Sequence, residues 1–119
     1  MRASKQHMKR QKGCPVQATV EVLRGKWKVQ ILWHLSYGDL RFAQLRKKLK
    51  TVSEKVLAEQ LRQLEAHGVI ARDVSESVPP AVTYSLNDAG RRLAGLMEGL
   101  CDWGSAHFGI EPTLPRRAT

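Results

Sequence analysis

Apolar residues recur along the chain at helical spacing in five places and at strand spacing in two. Cys14-Pro15 precedes Val16, Ala18, Val20, Val22 and Leu23, and proline suits the first helical position as glycine suits the end, so a first helix is predicted from Pro15 to about Arg24, before Gly25. From Lys26 the residues Trp27, Ile31, Leu32 and Leu35 step by three and four until Gly38, which predicts a second helix. Asp39-Leu40-Arg41 leads into a third, with Phe42, Leu45 and Leu49 on one face and Arg46, Lys47, Lys48 and Lys50 on the other. Ser53 is a good N-cap for a fourth, whose stripe of Val56, Leu57, Leu61 and Leu64 ends at His67-Gly68. Thr51 with Glu54 offers a capping box that starts this helix two residues earlier.

Beyond Gly68 the period changes from helical to alternating. Ile70, Arg72 and Val74 form one alternating run and Val82, Tyr84 and Leu86 another, with Pro79-Pro80 stiffening the tip between them. A last long helix, capped by Asn87 or Asp88, carries Leu93, Leu96, Met97, Leu100, Trp103 and Phe108, and Pro112 is expected to stop it. The fold class read from this order is mainly α with a small β-hairpin. Two helices joined by about three residues, the first basic and the second capped, with a hairpin directly after, describe a winged helix-turn-helix. The expected layout is a basic flexible tail over 1–13, one domain over 14–109 and a second flexible tail over 110–119.

Charge sharpens this reading. The 119-residue chain carries +9 overall with a pI near 10.1, the electrostatic footprint of a protein whose partner is an anionic polymer. The excess is one-sided. Residues 1–50 hold 13 Lys and Arg against two acids, net +11, whereas residues 51–119 hold seven against nine, net −2. Lys5, Lys9, Arg10 and Lys12 fit a solvated tail equally well, but Lys26, Lys28, Arg41, Arg46, Lys47 and Lys48 lie on predicted helices or at their ends and are read as phosphate ligands, with Arg72 on the hairpin.

A helix fits the major groove of double-stranded DNA, about 12 Å wide, and the fourth helix is in place to enter it. With Leu57, Leu61 and Leu64 turned inward, a step of about 100° per residue turns Lys55, Ala58, Glu59 and Arg62 outward, beside the cap residue Ser53. An arginine or lysine there can address guanine edges or phosphates, an alanine a thymine methyl, and a glutamate a cytosine amine. The competing reading is an ordinary exposed helix face on which Glu59 and Arg62 pair at i, i+3.

Cys14-Pro15-Val16, Gly25-Lys26-Trp27 and Arg41-Phe42-x-x-Leu45-Arg46 resemble the HxlR-type family of winged helix-turn-helix regulators. The likeness continues through Ser53-x-Lys55-x-Leu57, Gln60-Leu61-Arg62-x-Leu64-Glu65, Val78-Pro79-Pro80-x-Val82-x-Tyr84-Ser85-Leu86, Gly90-Arg91 and Trp103-Gly104. The resemblance implies a bacterial regulator, dimeric through its terminal helices, that binds inverted-repeat operators in double-stranded DNA. Ala58 and Ala81 stand where relatives often carry Ser or Thr and Lys or Arg respectively. Ala81, with the acids Asp73 and Glu76 nearby, leaves Arg72 as the wing's only cation. Leu93, Leu96, Met97, Leu100 and Trp103 give the last helix more apolar surface than so small a domain covers alone, so they are assigned to a homodimer interface, packing on the first helix being the alternative.

Cys14, at a helix start among Lys9, Arg10 and Lys12, sits where a thiolate is stabilised, and redox- or electrophile-responsive relatives resemble this chain in having a cysteine there. It is the candidate sensor; an ordinary structural cysteine is the alternative. Cys101, beside the apolar stripe, reads as a small hydrophobe. His7, His34, His67 and His107 lack ligand spacing, so no metal or other cofactor is expected. No nucleophile elbow, phosphate loop or dinucleotide fingerprint occurs, so no enzyme activity is expected. No apolar run reaches the about 20 residues of a membrane span and no secretory leader is evident, so a cytoplasmic protein is expected. No residue pattern names a small-molecule effector. A winged-helix module that docks another protein, or binds nucleic acid without sequence choice, is the rival function.

Overall fold

The computed structural model describes residues 12–112. The tail expected over 1–13 therefore lies outside the described residues except for Lys12 and Gly13, as does most of the C-terminal tail. The order is α1 (Pro15–Val22), α2 (Lys28–Leu35), β1 (Leu40–Arg41), α3 (Phe42–Leu49), α4 (Glu54–Ala66), β2 (Ile70–Val74), β3 (Val82–Leu86) and α5 (Asp88–Phe108). All five helices and both hairpin strands fall where the periodicity places them, and the ends differ for identifiable reasons. Leu23 and Arg24 bond back to Val20 and Glu21 in tighter turns, so α1 closes before Gly25. α5 ends at Phe108 because Gly109 takes the left-handed conformation, φ 68°, which closes the helix three residues before Pro112.

Both cap alternatives resolve. Ser53 Oγ accepts from the Val56 N–H at 3.1 Å, so α4 starts there, while Glu54 turns to Arg46 instead of back to Thr51. Asn87 Oδ1 accepts from the Gly90 N–H at 2.9 Å and its Nδ2 donates to the Gly68 carbonyl at 2.8 Å, which ties the start of α5 to the end of α4.

Asp39-Leu40-Arg41 was expected as a connector. Two of its residues form a strand, so the sheet has three antiparallel strands in the order β1-β3-β2, with Leu40 opposite Tyr84, Arg41 opposite Thr83 and Ile70 opposite Leu86. Residues too few to show a period acquire their strand character from the partner ladder.

The core gathers Ile31, Leu32 and Leu35 of α2, Leu45 and Leu49 of α3, and Leu57, Leu61 and Leu64 of α4. Tyr84 and Leu86 of β3 and Leu93, Ala94 and Met97 of α5 close it. Val56, placed by sequence with the inward stripe, is exposed. The interface assigned to α5 divides. Leu93 and Met97 face this chain's own core, whereas Leu96, Leu100 and Trp103, at i, i+4 and i+7 on the other side, are each more than 60% exposed. Leu93 and Met97 are therefore removed from the proposed interface, because a residue buried within its own subunit has no area left to give to another.

Candidate nucleic-acid interface

α4 presents Lys55, Ala58 and Arg62 to solvent with Glu59 half-buried beside them, and Ser53, also exposed, at its start. The four outward positions derived from the helical period thus share one face. Glu59 and Arg62 do form the i, i+3 ion pair, with Arg62 two-thirds exposed. Glu54, Glu59 and Glu65 outnumber Lys55 and Arg62, so this helix carries no net positive charge.

The exposed positive charge is concentrated on α3 and at its start. Arg41, Arg46, Lys47 and Lys48 are exposed along it and at its start. Phe42, Ala43, Arg46, Lys47, Lys50 and Glu54 line a shallow cleft of about 360 Å³ where α3 meets the start of α4. Arg46 braces the cleft: its Nε donates to the Val52 carbonyl at 3.3 Å and its guanidinium pairs with Glu54 at 3.0 Å. Lys47 and Lys50 project from the same cleft. Lys50, which the sequence places on the basic face outside the set read as phosphate ligands, is exposed beside Lys47.

The turn that sets the two helices at their angle is centred on Lys50. Its φ is 69° and ψ −68°, and the Thr51 N–H bonds back to the Leu49 carbonyl at 2.8 Å, which makes a γ-turn of the strained kind. Such a backbone costs a residue with a side chain of order 1–3 kcal/mol and persists where the surrounding packing determines it. Here Leu49 and Val52 are buried on either side, and they hold the turn.

Lys28 does not belong with the phosphate ligands. It is 5% exposed, and its ammonium donates to Gln60 Oε1 at 3.0 Å, Gln63 Oε1 at 2.5 Å and the Arg24 carbonyl at 3.4 Å. Position 28 shares the inward stripe with Ile31, Leu32 and Leu35, so its side chain points toward α4 and away from solvent. Lys26 is exposed, with its ammonium 4.9 Å from the centre of the Trp27 ring. Arg72 is exposed on β2. His34, half-buried on α2, has its pKa lowered below the ordinary 6.5, first by burial and then by the charge of Lys48. Both push it toward its neutral form.

The wing tip closes on Ser75, whose N–H donates to the Ala81 carbonyl at 2.8 Å while its Oγ accepts from the Ala81 N–H at 3.0 Å. Val78 crowns it at 97% exposure. Cys14 is the exposed N-cap of α1 and its side chain makes no capping bond. Cys101 is half-buried against the core and lines an apolar cavity of about 410 Å³ with Leu23, Val29, Trp33, Met97 and Leu100. Among the described residues no group of three or more His, Cys, Asp or Glu is placed to hold a metal, and no helix is long and apolar enough to cross a membrane.

A basic helix, a capped second helix with an accessible outer face, and a three-stranded wing define the winged helix-turn-helix class of transcription regulators. The chain belongs to the HxlR-like helix-turn-helix family, whose pattern matches residues 22–111. It is 47% identical over 93 residues to the HTH-type transcriptional regulator YtcD of Bacillus subtilis (strain 168), covering 78% of this chain and 74% of the relative. The crystal structure of the HTH-type regulator ytcD superimposes with a TM-score of 0.76 at 44% identity, covering 82% of this chain and all of that one. The reduced form of the redox regulator HypR follows with a TM-score of 0.75 at 37% identity, over 80% of this chain and 94% of that one.

Proposed function

We propose that this regulator binds an inverted-repeat operator in double-stranded DNA as a homodimer, with α3 clamping the backbone and the outer face of α4 reading bases. The observation that carries the reading is the division of labour between the two helices: clustered exposed cations on α3, and on α4 three acids against two bases with an accessible outer face. Phosphate contacts give affinity without sequence information, whereas base edges are read by positioned polar groups. The two-fold partner is a second copy docked through the outer face of α5, where Leu96, Leu100 and Trp103 are exposed, together with Val16 and Val20 of α1. The protein acts in the cytoplasm as a binding protein with no catalytic step.

Arg62→Ala tests the reading. Discrimination between the selected operator and a random duplex is expected to fall by about 1–3 kcal/mol, the worth of one good base contact, with the affinity for random duplex retained. Equal loss on every duplex in a titration sinks the reading role of Arg62 and favours the non-specific or protein-docking module.

Cys14 adds a sensing role. It is exposed at a helix start, and the similar fold of HypR is that of a redox regulator. Mild oxidant is expected to release wild-type protein from operator DNA and to leave Cys14→Ser bound. An unchanged response in that variant removes Cys14 from the mechanism.

A further inference from the structure

The buried Lys28 is the start of a hydrogen-bonded chain that ends on the outer face of α4. Its ammonium has donors only, so the Gln63 amide can meet it solely through Oε1, at 2.5 Å. That fixes which way the amide points. Its Nε2 then faces Glu59 and donates to Oε2 at 2.8 Å. The other Glu59 oxygen, Oε1, receives the guanidinium of Arg62. Each link leaves the next residue one orientation out of several, and the chain runs from a fully packed helix contact to a two-thirds exposed arginine.

We propose that Lys28 is a positioning residue for base discrimination, acting through Gln63 and Glu59 to set where the Arg62 guanidinium stands against DNA. The proposal rests on α4 being the reading helix. With Lys28 in place, Glu59 is held between two donors and anchors one edge of the Arg62 fork, leaving its remaining N–H groups to face outward. Without the ammonium, the Gln63 amide is free to turn over, Glu59 loses its inner donor, and Arg62 disperses among rotamers. Gln60 and the Arg24 carbonyl satisfy the other two Lys28 protons, so the brace between α2 and α4 and the relay to Arg62 share one residue.

The test uses the full chain of the wild type, Lys28→Met, Gln63→Leu, the double variant and Arg62→Ala. Each selects duplexes from a random-sequence library and is then titrated on the enriched duplex and on random duplex over a salt series. Both single relay variants are expected to relax preference at the base pairs that Arg62→Ala relaxes, by about tenfold, a size normal for residues coupled in one network. The double variant relaxes preference no further than either single, and the salt slope on random duplex is unchanged in the relay variants. Should Lys28→Met fail to fold, Gln63→Leu carries the comparison, since it keeps the Lys28 bonds to Gln60 and Arg24. Relay variants that keep the wild-type motif while Arg62→Ala relaxes it overturn the relay alone, whatever their melting temperatures. A lower salt slope in Lys28→Met also overturns it, because Lys28 would then be meeting phosphate. A wild type that enriches no motif overturns the reading of α4, and the relay with it.

Discussion

Gly90→Ala is expected to lower the unfolding free energy by about 3 kcal/mol, at the upper end of what overpacking normally costs. Gly90 sits in the first turn of α5 against the junction of α4 and β2. A Cβ built there lies 2.0 Å from the Val69 carbonyl oxygen and 3.1 Å from both the Val69 carbonyl carbon and Leu86 Cδ2. The nearest obstacle is backbone and cannot rotate away. It is held in turn, because the Val69 oxygen accepts from the Asn87 N–H at 3.3 Å and the neighbouring Gly68 carbonyl accepts from the Asn87 side chain. Relief requires α5 to withdraw, which strains the Asn87 cap, worth about 0.5–2 kcal/mol, and loosens Leu93 and Met97 in the core. Denaturant unfolding followed by circular dichroism, at one fixed protein concentration, measures the change. A difference below about 1 kcal/mol would mean that α5 has slack at this seam.

Removing the two lysines of the α3–α4 cleft is expected to give the largest effect on DNA. Lys47→Ala combined with Lys50→Ala should weaken binding to operator and random duplex alike and reduce the slope of log affinity against log salt by about two, near 0.9 for each phosphate that is no longer neutralised. Alanine keeps a Cβ at position 50, so the positive φ there is as strained as before and the turn geometry is preserved. A binding titration across a salt series decides the point. A slope that does not change, or weakening confined to the operator, shows that the cleft does not meet the backbone.

Much of the fold was legible because its helices carry strong periods and standard punctuation. Ser53, Gly68, Asn87 and the run through Leu57, Leu61 and Leu64 place α4 and the hairpin from local chemistry alone. What escaped is what depends on partners far away in sequence. β1 has two residues and exists only through Tyr84 and Thr83. The two apolar faces of α5 look alike in sequence, and only the fold decides that Leu93 and Met97 turn inward while Leu96 and Leu100 turn outward. Lys28 carries two conflicting signals: its charge points to phosphate, whereas its place on the inward stripe of α2 points to burial, and the stripe prevails. Gln63 bore a weaker one, four residues after Glu59 on the same helix, but its tie to Lys28 spans 35 residues and no local pattern announces it.

Leu40 and Arg41 join the strand that also carries the wing, and Arg41 is at the same time the cap of α3. Mechanically, the clamp and the wing are two arms of one bracket. Neither arm slides past the other unless the strand ladder breaks, so a signal arriving near Cys14 or α5 has little to gain by reshaping a single reading head. In a two-fold assembly the adjustable quantity is the stance of two such brackets, and the gauge is the separation of successive grooves on one face of the duplex, about 34–36 Å. For the proposed homodimer, control is then expected to act on span and tilt, with each head carried as a fixed piece.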